Sequence, residues 1–556
     1  MLDPITRQVI RNALIAAAKE MQTTLIKTAH NPLIYEVQDF GMVLTNRFGQ
    51  MISEGSGLPG FLACLPPTIQ SGLKLTTFAE GDIVLSNEPD DTGTHISDTV
   101  VYMPVFSKGD LVAFSAVMAH WADIGGMMPG GWCPNSVSLH QEGLIFSHNK
   151  LYDAGLLNKE LNRFIMRNVR YPKIVEGDLN AKISACQTGA RRYVALCERY
   201  GPELVEKAML ETFDLSEARM RTEIASIPNG TYSAEGYIDH DGIDRQKRHR
   251  LQVTVTVSDD EMHIDWTGTD PAAKGPINNP LVGTAALCAT TLKSLTMPFD
   301  PTNEGHLRPL KVTAPRNTLV SAYYPAPCDS YGYVTEVLVH LIIRALAQAI
   351  PDRCPATTYQ MCAYNLSREG EGGFICGEPV DGGGGAFPHD DGPTGIMFAG
   401  NGDAPNTPVE VLESRYPMRL NEYSINLEHC GIGKYRGGYG VVREFEILTG
   451  NIDFKTSTEN NKNRFWGLAG GGEAGVTTVY INPRSEKEVV LHERVDFYPL
   501  NRGDTVRILS PNGGGWGKPE ERDPKRIAED IKNGLISLED ASWIYKKDKA
   551  SLQKLL

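Results

Sequence analysis

The stretch Gly93–Gly126, GTHISDTVVYMPVFSKGDLVAFSAVMAHWADIGG, constrains this chain more than any other. Two mostly apolar runs, TVVYMPVF and LVAFSAVMAH, flank SKGD, whose Lys108-Gly109 centre is a hairpin-turn signal between buried strands. The pattern His-x-x-Asp stands at both outer ends, as His95–Asp98 and His120–Asp123. Pairing Ser107 with Asp110 and counting back along the ladder puts His120 opposite Ser97, between His95 and Asp98. His95 and His120 then project to the same side of the hairpin. Asp98 is one residue out of phase. It joins the histidines only if the strand ends, bulges or turns around Ser97.

Two imidazoles with one or two carboxylates suit Mn, Zn or Fe, because neutral nitrogen and hard oxygen together favour divalent ions of intermediate softness. His95, Asp98 and His120 are the candidate metal ligands. Such a set leaves positions open for Lewis-acid polarisation of a carbonyl or phosphoryl oxygen, or for activation of water. Asp123 is a fourth ligand or a group that orients the others. The alternative is that each pair is a hydrogen-bonded clasp closing a strand end. Two copies brought together by one hairpin favour the metal. The DIGGMMPGG segment that follows reads as a turn-rich wall, and Trp121 and Tyr35 as apolar lining of a substrate pocket.

A chain of 556 residues is too long for one ordinary core. Its formal charge of −14 excludes a nucleic-acid surface or an anionic membrane as partner, since both require a positive field. No apolar run is long enough to span a bilayer. The ten cysteines contain no C-x-x-C pair, which points to a reducing, cytoplasmic setting. The pattern predicts an α+β fold, with antiparallel strand-rich regions, a helical block and glycine-rich β segments. Residues 1–157 form an N-terminal α+β metal-site region, 158–227 a helical block, 228–515 a β-rich region with one buried helix, and 516–556 a helical tail. Within the block, Asp178 is an N-cap candidate. PHDDG, at His389–Asp391, reads as a turn. The glycine runs from Gly370 to Gly515 predict tight turns and close backbone approach.

Beyond these features, SNEPDDTGTHISDTVVYMPVF, AHWADIGGMMPGG, EGDLNAKISACQTGARR, DWTGTDPAAKGPINNP, NTPVEVLESRYP and SPNGGGWGKPEERDP resemble, in this order, the hydantoinase B/oxoprolinase family. That family includes the B components of N-methylhydantoinases, the C-terminal half of 5-oxoprolinase, and one component of acetone and acetophenone carboxylases. The resemblance implies a heteromer. A hydantoinase A-like partner holds ATP and phosphorylates the substrate's oxygen, and the B component completes hydrolysis or carboxylation. It also implies a divalent metal at His95, Asp98 and His120, with Asp39 of YEVQDFG close by. PLIYEVQDFG and AHW depart from the usual hydantoinase sequence and look more like the carboxylase side.

No G-x-x-x-x-G-K-[ST] loop occurs here, in keeping with ATP bound by the partner. The expected activity is ATP-dependent hydrolysis of a cyclic amide, with Asp39 or Asp123 as catalytic base. The alternative is ATP-dependent carboxylation of a ketone, where the same ligands stabilise an enolate.

Overall fold

Asp3 opens the first helix, Pro4–Thr28, by accepting the Thr6 N–H at 2.9 Å, with proline in the first turn. The computed structural model describes residues 2–402, 404–459 and 462–556. The fold is α+β, with 34% helix and 24% strand in several mainly antiparallel sheets. Two compact units divide the chain. One is Met1–Gly236 with His240–Ala345, and the other is Tyr237–Asp239 with Leu346–Leu556. Among the described residues no helix is long and apolar enough to cross a membrane.

The first unit is built on a seven-stranded antiparallel sheet. Its strands are β1 (Phe40–Asn46), β2 (Met51–Gly55), β3 (Ile83–Ser86), β4 (Asp98–Ser107), β5 (Asp110–His120), β6 (Asn149–Asp153) and β7 (Leu156–Leu157), in the spatial order β2-β1-β5-β4-β3-β6-β7. The central strands β1, β5 and β4 are covered on both faces, which is why their sequences run apolar instead of alternating. One face packs on the Pro4–Thr28 and Pro172–Tyr200 helices through Phe40, Met42, Val101, Val117 and Ala119 against Leu14, Met21 and Leu179. The other face presents Asp98 and His120.

The hairpin register differs from the simple count. Ser107 pairs with Asp110 and Phe106 with Leu111, but Val105 pairs with Ala113, leaving Val112 as a bulge. The extra residue moves every later pair by one, so His120 faces Asp98 and not Ser97. The irregularity needed to bring Asp98 into phase therefore lies beside the turn, not at Ser97.

Helices Lys159–Asn168, Pro172–Tyr200 and Pro202–Ala225 form the block after this sheet. Asp178 does not cap a helix start. The helix begins at Pro172, and Asp178 lies buried inside it. A second sheet holds Gly230–Ile238, His249–Ser258, Glu261–Asp265 and Leu310–Thr313. The last pair in it is parallel, because the Leu281–Thr296 helix intervenes between its strands and carries the chain across. The predicted buried helix is Gly332–Leu346.

In the second unit, a four-stranded and a five-stranded sheet accompany a core made of glycine backbone. Gly438 N–H donates to Gly384 O at 2.8 Å, and Gly513 N–H to Gly438 O at 2.9 Å. A Cβ on Gly437 would lie 1.9 Å from Gly513 O. Few of these glycines need a left-handed turn; they are glycine because another backbone occupies the side-chain space. Asp391 of PHDDG pairs with Arg522, at 2.6 and 2.8 Å, and Asp390 with Arg526 at 2.7 Å, so both carboxylates are committed to the tail. That tail is three short helices closed around Ile527, Ala541, Tyr545 and Leu552.

Candidate metal centre

Each residue of the centre is placed by a local rule of the backbone. Asp98 starts β4 and His120 ends β5, and as opposite partners they share one face of the sheet. His95 precedes the strand. A turn closed by the Asp98 N–H to His95 carbonyl bond, at 3.1 Å, folds it back over Asp98. The turn follows the short Pro89–Thr92 helix, which ends on Gly93 in the left-handed region. A Cβ on Gly93 would also meet Gly283 N at 2.5 Å. Asp39 lies one residue before β1, and its carbonyl accepts the His120 N–H at 3.2 Å.

The side chains converge. Asp98 Oδ1 lies 3.0 Å from His95 Nε2 and 3.1 Å from His120 Nδ1. One potential ligand atom from each of His95, Asp98 and His120 falls within 4.8 Å of the other two, close enough for all three to reach one ion. Asp39 Oδ2 stands 4.0 Å from His120 Nδ1. Tyr331 donates its hydroxyl to Asp98 Oδ2 at 3.2 Å and lays its ring against His95, with centroids 5.2 Å apart. Asp98 is fully buried, whereas Asp39 and His95 keep 21% and 15% of their side chains exposed, so the centre opens to solvent on their side.

Burial opposes the charge on Asp98, but His95 and His120 overcome it and hold the carboxyl well below its usual range. Burial lowers the affinity of His95 for a proton, and the Asp98 carboxylate outweighs that and raises it. Asp39 is different. Burial raises its carboxyl to about 7, opposed by His120 and reinforced by Asp98.

These residues fit a divalent cation. Asp39 Oδ1 is buried with no hydrogen-bond partner, a state that costs a carboxylate several kcal/mol unless a positive charge faces it. Two imidazole nitrogens already converge on one carboxylate oxygen, and the set of nitrogen and hard oxygen matches Mn, Zn or Fe.

Asp123 sits apart from this group. Its oxygens accept the N–H groups of Gly125 at 3.3 Å, Gly130 at 3.0 Å and Arg170 at 2.7 Å, and the Arg170 guanidinium at 3.2 Å. It ties the glycine-rich wall to the chain before the long helix. Trp121 does not line a pocket. Alternation along the strand turns it to the opposite face from His120, where it is buried against Phe146 and Lys182. Tyr35 is half-buried at the end of the short Pro32–Tyr35 helix. Tyr331 carried no signal in the sequence, since DSYGY reads only as the start of a buried helix and its partner is 233 residues away.

The model of the Hydantoinase B/oxoprolinase family matches residues 3–519, and this chain belongs to that family. A protein of Pseudomonas sp. strain NS671, provisionally named as the B component of a D-/L-hydantoinase, is 32% identical, covering 97% of this chain and 94% of that one. The crystal structure of the ATP-dependent caprolactamase of Pseudomonas jessenii superposes with a TM-score of 0.90 at 28% identity, over 100% of this chain and 99% of that one. Nucleotide-free acetone carboxylase shares the fold, with a TM-score of 0.88 at 17% identity over 98% and 79%.

Proposed function

We propose that this chain is the metal-holding component of an ATP-dependent cyclic-amide hydrolase, acting on a substrate that a hydantoinase A-like partner has phosphorylated. The observation that carries the reading is the convergence of His95, Asp98, His120 and Asp39 at one partly open point. The names of two relatives, one component of a hydantoinase and an ATP-dependent caprolactamase, support the substrate class and the need for a partner. The nine buried cysteines, with the tenth also free, suit a cytoplasmic protein.

His95, Asp98 and His120 would hold the ion. When bound, it supplies Lewis-acid polarisation of oxygen and acidifies water. The chain's own groups do the rest. Tyr331 fixes the outer oxygen of Asp98, which keeps Oδ1 directed at the two imidazoles. Asp39 lies on the open side, 4.0 Å from His120, placed to accept the proton of an attacking water. Asp123 shapes the wall through its bonds to Gly125, Gly130 and Arg170.

The test is co-expression with the A-type partner, followed by ATP turnover on a panel of lactams, hydantoins and ketones with and without bicarbonate. Hydrolysis of a cyclic amide coupled to ATP is expected. Bicarbonate-dependent turnover of a ketone, with every cyclic amide inert, replaces this reading with carboxylation.

A further inference from the structure

Two charged side chains one turn apart on the Pro172–Tyr200 helix, Asp178 and Lys182, are fully buried behind the sheet, on the face away from the centre. Each holds backbone that carries metal-site residues. Lys182 Nζ donates to the Thr99 carbonyl at 3.0 Å and to the Thr99 hydroxyl, and stands 4.8 Å from the centroid of the Trp121 ring. Thr99 directly follows Asp98, and Trp121 directly follows His120. Asp178 Oδ1 accepts the N–H groups of His30 at 2.7 Å and Asn31 at 3.1 Å. Asn31 in turn donates its side-chain N–H to the His120 carbonyl at 3.4 Å. It also caps the short Pro32–Tyr35 helix, whose Leu33 carbonyl receives the Asp39 N–H at 2.8 Å.

We propose that Lys182 and Asp178 are positioning residues that set the spacing of Asp39, Asp98 and His120 from behind the sheet. The proposal rests on the metal-site reading above. One helical turn bonds two backbone segments, at Thr99 and at His30–Asn31, and reaches a third, at His120–Trp121, through the Trp121 ring and the Asn31 side chain; these segments carry or lead into three of the four converging side chains. His95 is placed independently, by its own turn.

Stability alone does not account for a lysine here. A buried amine is expensive, and an apolar side chain of similar volume at such a site is often neutral or stabilising. Methionine would fill the same space and pack on Trp121, but it offers no donor to Thr99. What the amine adds is a fixed distance between helix and strand at the residue after Asp98. Groups of this kind behind a metal ligand typically contribute about 10- to 100-fold in metal affinity.

The experiment titrates Mn²⁺ into the purified full-length chain, reading affinity by calorimetry and ligand geometry by the Mn²⁺ electron paramagnetic resonance spectrum. The wild type is expected to bind one ion. Lys182→Met should bind it about 10-fold or more weakly with an altered spectrum, while its thermal midpoint stays level or rises. Lys182→Gln, which keeps an N–H donor, should recover part of the affinity. Wild-type affinity and spectrum in Lys182→Met overturn the proposal while leaving the metal site intact. Failure of the wild type to bind Mn²⁺ or Zn²⁺ overturns the metal site and this proposal together. Should Lys182→Met not fold, Asp178→Ala, which frees the His30 and Asn31 N–H groups from the helix, decides by the same readouts: weakened binding supports the role, and unchanged binding rejects it.

Discussion

Asp98 and His120 stand directly opposite each other at the open end of the β4–β5 ladder, with His120 Nδ1 3.1 Å from Asp98 Oδ1. The bulge at Val112 is responsible. Without it the count from the turn would seat His120 across from Ser97, and Asp98 would point to the helix-packed face. A single unpaired residue near the turn, Val112, thus decides what stands opposite His120 at the far end of the strand.

The first prediction concerns the ligands themselves. His95→Ala and His120→Ala each remove one nitrogen, and Asp98→Asn removes the charge both imidazoles face. Metal content per chain, measured by elemental analysis after dialysis, should fall to near zero in all three. The loss in affinity should exceed the ~100-fold upper figure for outer groups. Full metal occupancy in either histidine variant would remove the basis for the site.

Asp39 is expected to separate from that group. It stands at the open side, outside the His95, Asp98 and His120 group, so Asp39→Asn should keep most of the metal while reducing turnover by about 100-fold or more, the usual contribution of a general base. Metal analysis and steady-state rates on the same preparation distinguish the two effects. Loss of metal in parallel with activity would make Asp39 a ligand instead.

Asp123 yields the opposite expectation. Asp123→Ala strands the donors of Gly125, Gly130 and Arg170, at a cost of about 1–3 kcal/mol in stability. Urea unfolding should show that loss while metal content stays at the wild-type level. A variant with wild-type stability but no turnover would return Asp123 to the chemistry.

How far the sequence reveals this site depends on the kind of interaction. The hairpin was legible because turn chemistry and apolar runs are local signals, and the His-x-x-Asp pairs at its ends named the ligands. The bulge was not, since Leu111, Val112 and Ala113 are all ordinary strand residues and only packing chooses which one is extruded. Tyr331 and Lys182 were invisible for a different reason: each meets its partner across 233 or 83 residues, where no spacing rule applies. Asp178 misled because an acidic residue ahead of an apolar run looks like a cap, while Pro172 had already started the helix. The glycine runs announced close approach but could not say which backbone would come close.

Lys182 gives the pH prediction. Burial lowers its amine to about 7, opposed by Asp178, against about 10.4 for an exposed lysine. Between those values the unfolded chain holds a proton that the folded chain lacks, so stability rises with pH through this window and levels off above it. Below about 7 both states are protonated and the penalty is fully present. Lys182→Met lacks this slope. Its stability advantage over the wild type should therefore be greatest near pH 7 and shrink toward pH 10, followed by urea midpoints. A gap independent of pH would mean the folded amine titrates at its ordinary value.

The glycine core of the second unit sets the last expectation. A Cβ on Gly438 would sit 1.8 Å from the Pro393 carbonyl oxygen, and Gly438 N–H is itself bonded to Gly384 O, so neither backbone can withdraw without breaking the core's hydrogen bonds. Overpacking of side chains costs about 1–3 kcal/mol, and backbone against backbone has no rotamer to yield, so Gly438→Ala should exceed that range and leave the unit unfolded. Gly450 is the control. Nothing lies within 4 Å of its added Cβ, and its φ is not in the left-handed region, so Gly450→Ala should stay within about 0.5 kcal/mol of the wild type. Soluble yield and thermal unfolding of the two variants compare them directly. If Gly438→Ala folds with a wild-type midpoint, the close backbone packing is not what holds these segments together, and the density of glycine from Gly370 to Gly515 would need another cause.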